Sequence, residues 1–206
     1  MTEVLGIGAH PDDLELGCAG TLARHVAQGD HVTMLVVTSG QVGPGGTSRR
    51  EEEAAAAAHA LGADLVLGRL PDGSVSRHEF ALVHLIEDVL GKTGATTVYT
   101  HGEKDSHQDH RTVALASRGA CRAVTRVLCY DSPSSLGFSP SVYVDITTTL
   151  DKKLAALAMH ESQVLQSMMA SPELVRSQAG YRGFHARCGA AEAFEPVRLV
   201  LSLEAC

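Results

Sequence analysis

The chain has 206 residues, with 17 basic and 24 acidic side chains, a formal net charge of −7, 44% hydrophobic and 20% charged residues. Such a composition is that of an ordinary globular protein with enough chain to bury a core, and it excludes intrinsic disorder. The longest basic cluster is Arg49-Arg50, so neither a nucleic-acid partner nor a polybasic membrane anchor is expected.

In chain order, Val4 to Gly8 reads as a short buried strand and Leu16 to Ala27 as a helix that stops at Gln28-Gly29-Asp30. The β-branched run Val32 to Thr38 is a second strand, closed by Ser39-Gly40. A glycine-rich loop, Gly40 to Thr47, leads into an Ala-rich helix from Ser48 to Leu61, with Gly62 as its stop. Asp64 to Leu67 is a third strand, Glu79 to Leu90 a helix, and Thr97 to Thr100 a fourth strand. Beyond the polar loop His101 to Ser106 come a helix from His107 to Cys121 and a strand from Arg126 to Tyr130. Further strands are expected at Val142 to Ile146 and Val197 to Leu203, with a long helix from Thr149 to Gln166. Pro172, Gly180, Gly183 and Gly189 are expected to break the stretch between into short pieces.

This alternation predicts an α/β fold: one doubly wound, mostly parallel sheet with helices on both faces, Rossmann-like, in a single domain over residues 1–206. A dinucleotide site is not expected. Gly6-Ile7-Gly8-Ala9-His10-Pro11 puts Pro11 where the third glycine belongs, and Thr38-Ser39 stand where an acidic ribose ligand would close the second strand. Gly43-Pro44-Gly45-Gly46 lacks the ending of a phosphate-binding loop. No apolar run reaches the roughly 18 to 20 residues of a membrane span. Met1 to Leu5 carries no basic leader, so a cytoplasmic protein is expected. Cys18, Cys121, Cys129, Cys188 and Cys206 form no CxxC pair and are odd in number, which argues for reduced thiols and leaves any metal to histidines and carboxylates.

Ligands in open α/β sheets sit at the carboxyl ends of strands. The first strand runs into His10-Pro11-Asp12-Asp13, and the fourth into a loop and helix start that carry His101, His107, Asp109 and His110. Taken singly, Asp12 or Asp13 could cap the next helix, and Ser106 to Asp109 fit a weak capping box. Their arrival at one rim favours a metal site instead. Two imidazoles and one carboxylate with an open fourth position suit a hydrolytic zinc centre, with a spare carboxylate to take a proton and a spare imidazole to give one. His25, His31, His59, His78, His84 and His160 show no partner spacing and are expected on the surface or satisfied in the core.

His10-Pro11-Asp12-Asp13, with Gly17 and Gly20-Thr21-Leu22-Ala23, resembles the opening motif of the PIG-L/LmbE-like zinc-dependent deacetylases. Lys104-Asp105-Ser106-His107-Gln108-Asp109-His110 resembles that family's second motif. Arg50-x-x-Glu53, Leu61-Gly62-Ala63, Leu70-Pro71-Asp72-Gly73, Val144-Asp145-Ile146, Lys152-Lys153 and His160-x-Ser162-Gln163 extend the resemblance over most of the chain. It is nearest the bacillithiol-type subgroup, which deacetylates N-acetylglucosaminyl conjugates. The resemblance implies one zinc ion per chain, with Fe2+ or another divalent ion as alternatives, on His10, Asp13 and His110. It implies Asp12 as general base, His107 as acid or oxyanion-stabilising group oriented by Asp109, and Arg50 as a contact to the sugar or its attached group. His101, at the same rim, is expected to line the pocket.

Leu14 comes before Glu15, Gln108 replaces a usual Pro and Ser106 a frequent Arg, none of them at a ligand position. Ala190 stands where the family has a substrate-facing Tyr, so His185 or Tyr181 is expected to take its place. The expected reaction is hydrolysis of the acetamide of a small N-acetylated amino-sugar conjugate to acetate and a free amine, and the resemblance is compatible with a homo-oligomer. Two other classes compete. A non-catalytic sugar- or metal-binding domain has no need of Asp12, His107 and Asp109, and a metal phosphoesterase calls for a carboxylate bridging a second metal.

Overall fold

The structure, a computed structural model, describes residues 1–201. Its strands are β1 (Glu3–Gly8), β2 (His31–Thr38), β3 (Asp64–Leu70), β4 (Thr97–Thr100), β5 (Arg126–Tyr130), β6 (Val142–Asp145) and β7 (Ala191–Leu199), forming one 7-stranded sheet in the order β3-β2-β1-β4-β5-β7-β6. The run from β3 to β5 is parallel, whereas β7 is antiparallel to both β5 and β6. The helices are α1 (Asp13–Gly17), α2 (Ala19–Ala27), α3 (Gly46–Leu61), α4 (Glu79–Thr93), α5 (Gln108–Ala120), α6 (Leu150–Ala158), α7 (Glu161–Val164) and α8 (Pro172–Ala186).

Period-two alternation divides the core between the two faces. Leu5 and Ile7 of β1 and Leu35 and Val37 of β2 pack with Leu82 and Ile86 of α4 and Val113 and Ala116 of α5. Val4, Val32 and Met34 point the other way, onto Leu22 of α2, Ala57 and Leu61 of α3 and Ala156 of α6. Burial on both faces is why the central strands read as continuous apolar runs. From β1 the chain winds outward to β2 and β3, then crosses back to β4 and β5. The switch falls between β1 and β4, so the loops after these two strands flank one crevice.

Several expected elements are corrected. The single helix over Leu16 to Ala27 is two, broken at Cys18 (φ −146°). The break gives α2 its own N-terminus, whose Gly20 and Thr21 amides donate to the Glu192 carboxylate at 2.9 and 2.6 Å. The long helix over Thr149 to Gln166 is likewise α6 and α7, parted at Met159-His160. In place of short pieces, α8 runs unbroken from Pro172 at its first turn. Gly183 does not end it; a Cβ there would lie 2.8 Å from Cys188 O, so this glycine serves close packing. The last strand begins at Ala191, earlier than expected, and the far end of its expected span lies outside the described residues, as does Cys206. No helix among the described residues is long and apolar enough to cross a membrane.

Lys153 Nζ donates to Glu192 Oε1 at 2.5 Å and to Leu16 O at 2.7 Å, and both members of the pair are 4% exposed. Lys153→Met leaves a buried carboxylate without its cation. Denaturant unfolding should show a loss of about 3–5 kcal/mol; a loss below about 1 kcal/mol would reduce the pair to the worth of a surface ion pair.

Candidate active site

After β1 the chain turns through Ala9-His10-Pro11-Asp12 into α1, and Asp12 takes φ +102°, a left-handed conformation costing a non-glycine residue on the order of 1–3 kcal/mol. Buried Arg50 on α3 braces the turn, donating from Nη2 to Pro11 O at 2.7 Å and from Nη1 to Gly40 O at 3.3 Å. Gly40 has to be glycine: its φ is +63°, and a Cβ would stand 2.3 Å from Arg50 Nη1. The Asp12 carboxylate makes no capping hydrogen bond, which leaves it free toward the pocket, 3.6 Å from Arg50 Nη2. Asp13 Oδ2 accepts the His10 N–H at 2.7 Å, so the turn orders its own side chains.

His10 Nδ1 lies 3.4 Å from Asp13 Oδ2 and 3.3 Å from His110 Nε2, and His110 Nε2 lies 3.3 Å from Asp13 Oδ1. Adjacent donors on a tetrahedral zinc with bonds of ~2.0–2.1 Å stand roughly 3.3–3.4 Å apart. The two ring nitrogens stand at that separation, and the Asp13 carboxylate lies beside both of them, Oδ2 toward His10 and Oδ1 toward His110, so the three side chains surround one point where a cation could be held. Two overlapping sets, His10-His107-His110 and Asp13-His101-His110, also bring donor atoms within 4.8 Å. They fit less well. The His107 Nδ1 already accepts the Asp109 N–H at 3.2 Å, and His101 is 0% exposed behind Asp13. The outer nitrogens of the two ligand-like rings face carboxylates: His10 Nε2 is 3.1 Å from Asp72 Oδ1, and His110 Nδ1 is 3.1 Å from Asp105 Oδ2.

Against the cost of burial, Asp13 and Asp105 raise His110 to about 9, and Asp109, Asp13 and Asp72 raise His10. Asp13 is buried too, yet His110 and His101 hold it well below the usual carboxylate range. Burial, reinforced by the Asp13 charge, pushes Asp12 up to about 7. Because the folded value of His110 lies above its unfolded one, its pairing stabilises fully below pH 6.5 and is lost as pH rises through about 9. Cations that need the neutral imidazole gain affinity over the same interval. Metal-free protein should therefore melt progressively lower from pH 6.5 to 9, while the rise in melting temperature on adding zinc grows. A flat metal-free profile across that range would contradict this charge state.

An open pocket of about 540 Å³ is lined by His10, Asp13 and His110 together with Asp12, Arg50 and His107. Three other expected positions need correction. His101 does not line it; ending β4, it is stacked beneath His110 at 4.0 Å and sits 3.1 Å from Asp13 Oδ2. His185 lies on the outer face of α8, exposed and edge-on to Tyr181 at 4.7 Å, away from the pocket. The Asp109 carboxylate is turned from His107: it accepts the Gly73 and Val75 amides at 2.7 and 3.2 Å, and only its backbone N–H reaches the His107 ring.

Asp72 and Asp105 were not singled out by sequence reasoning. Both lie in segments that carry the family resemblance, Leu70-Pro71-Asp72-Gly73 and Lys104 to His110, but neither was given a role there. His160, expected to be ordinary, is 0% exposed with Nε2 3.4 Å from the buried Glu15 Oε1, and its charge acts on Asp12. Its membership of the motif His160-x-Ser162-Gln163 was the one available signal.

The family model for PIG-L, GlcNAc-PI de-N-acetylase, matches residues 5–121. A protein of Escherichia coli (strain K12) described as "Uncharacterized deacetylase YaiS" is 35% identical over 167 residues, 77% of this chain and 90% of that one. Among solved structures, GalB, the 4-carboxy-2-hydroxymuconate hydratase of Pseudomonas putida KT2440, superposes with a TM-score of 0.87 at 22% identity, covering 100% of both chains. N,N'-diacetylchitobiose deacetylase from Pyrococcus horikoshii superposes with a TM-score of 0.81 at 22% identity, covering 94% of this chain and 83% of its own. One fold thus carries a hydratase and a deacetylase, and the reaction must be argued from the site.

Proposed function

The chain belongs to the PIG-L (GlcNAc-PI de-N-acetylase) family, and from that premise we propose that it is a zinc-dependent N-deacetylase of small N-acetylated amino-sugar conjugates, releasing acetate and a free amine. The observation that carries this reading is the meeting of His10 Nδ1, Asp13 and His110 Nε2 at 3.3–3.4 Å on a pocket that also holds Asp12 and His107. A divalent cation on those three residues would polarise the acetamide carbonyl and bring the pKa of water to roughly 7.

The chain's own groups supply the proton traffic. Asp12 accepts the proton of the attacking water, and a carboxyl held up to about 7 by burial is well matched to that task near neutral pH. His107 uses Nδ1 to accept the Asp109 N–H, so its neutral ring carries the proton on Nε2. That N–H can donate to the carbonyl oxygen as charge builds there. The proton held by Asp12 then passes to the departing nitrogen, which leaves as the amine. Arg50 keeps the strained Asp12 turn in place while lining the pocket.

Among the described residues no Phe, Tyr or Trp lines the pocket, so a sugar held there would be met by polar side chains such as Arg50, Ser106, Gln108, Ser134 and Gln163. The GlcNAc-PI of the family description and the N,N'-diacetylchitobiose of the neighbour point to the same substrate class. Chelation tests the metal requirement. Amine release from N-acetylglucosamine conjugates should cease after dialysis against a chelator and return with zinc; undiminished release in chelator would contradict the proposal.

A further inference from the structure

We propose that Asp105 is a positioning residue of the metal site: its carboxylate accepts the Nδ1–H of His110 at 3.1 Å and so holds that ring in the tautomer that presents Nε2 to a cation. This rests on the metal-site reading above. A neutral imidazole that ligates through one nitrogen carries its proton on the other, and the partner of that proton decides which nitrogen faces the metal. His110 Nε2 points at His10 Nδ1 and Asp13 Oδ1, each 3.3 Å away, so the proton belongs on Nδ1. The ring stacks on His101 at 4.0 Å and on His107 at 4.5 Å, contacts that set its plane but express no preference between its nitrogens.

The carboxylate is anchored from several sides. Asp105 is 3% exposed, and besides the bond from His110 its Oδ1 accepts the His107 N–H at 2.8 Å and its Oδ2 the Ser132 hydroxyl at 2.7 Å. Converging donors suit an ionised carboxylate, which can only accept, so the proton between Asp105 and His110 comes from the ring. Ser134 Oγ also stands 3.1 Å from Nδ1, with Ser132 Oγ 3.1 Å from it in turn. A hydroxyl rotates to accept or donate as its neighbours require, so Ser134 follows the tautomer where Asp105 selects it. The backbone keeps Asp105 in place through a bridge to Ser135 and the Ser106 N–H bond to Ser134 O at 3.0 Å. One buried carboxylate thus ties the loop after β5 to the start of α5, where His107 and His110 stand.

The test compares full-length wild type with Asp105→Asn and Ser134→Ala, measuring zinc affinity by competition with a chromophoric chelator and the melting temperature with and without zinc. Wild type should bind one zinc ion per chain. Asp105→Asn keeps the shape but loses the charge and one acceptor, and it should bind zinc about 10–100-fold more weakly. Ser134→Ala should bind it as wild type does. A merely structural role would lower the two Asp105→Asn melting temperatures equally and leave the affinity unchanged, and that result overturns the proposal. So does Ser134→Ala weakening zinc as much as Asp105→Asn. Long-range proton–nitrogen NMR of zinc-loaded wild type reads the tautomer with no substitution: His110 should carry its proton on Nδ1, and a proton on Nε2 overturns the proposal even if Asp105→Asn fails to fold. Wild type that binds no zinc sinks the metal-site reading itself; wild type and Asp105→Asn binding alike sinks only the role of Asp105.

Discussion

Asp12→Asn should keep its zinc and lose about 10²–10⁴-fold in kcat, the usual worth of a positioned general base. Asn matches Asp in shape and is among the few residues that tolerate the left-handed region, so the φ of +102° at this position should survive the change. The carboxylate is not among the three mutually close donors; its nearest charged partner is Arg50 Nη2 at 3.6 Å. Metal content by elemental analysis and steady-state kinetics on the same preparation check this together. Loss of zinc in Asp12→Asn would mean that Asp12 and Asp13 had been assigned each other's roles. Since Asp12 is held near 7 by burial and any bound cation pulls it down, wild-type kcat should show an acidic limb at or below about pH 7. That limb should vanish in Asp12→Asn.

The second large effect is expected for His110→Ala. Removing this ring takes away a donor and strips the leading favourable partner from both buried carboxylates it serves, Asp13 and Asp105. Zinc affinity should fall well beyond the roughly 10–100-fold expected of a hydrogen-bond partner outside the ligand set, and activity should fall with it. Metal-free stability should drop as well, by on the order of 3 kcal/mol, because breaking a buried pair leaves uncompensated charge. Chemical denaturation of chelated protein reads the stability and chelator competition the affinity. Activity that persists with wild-type metal content would remove His110 from the account.

Much of the fold could be read from pattern because the central strands are buried on both faces. Val32 to Thr38 is an apolar, β-branched run for that reason, and the strand–helix alternation follows from the parallel winding. Reading failed where tertiary contacts overrule local signals. The glycines at 180 and 183 look like breakers, yet α8 runs through both because Gly183 lies against the Cys188–Ala190 backbone. The break at Cys18 depends on Glu192, which reaches α2 from the other end of the chain.

The site divides in the same way. His10, Asp12, Asp13, His107 and His110 are conspicuous because they cluster within two short segments that end neighbouring strands, β1 and β4. The nearness of Asp72 to His10 depends on β3, β2 and β1 standing side by side, which the segment Leu70-Pro71-Asp72-Gly73 does not by itself reveal. His101 and His185 failed as pocket residues for opposite reasons: one is sealed beneath Asp13 by the β4 strand end, and the other faces solvent on a helix that was not foreseen.

Product analysis tests the central claim most directly, since the same fold also carries a hydratase. Zinc-loaded protein should be incubated with a panel of N-acetylhexosamine conjugates and the products weighed by mass spectrometry. The account predicts equimolar acetate and free amine from at least one conjugate, and neither from protein carrying His110→Ala. Intact acetamide throughout the panel, or a substrate that gains water without releasing acetate, would contradict it.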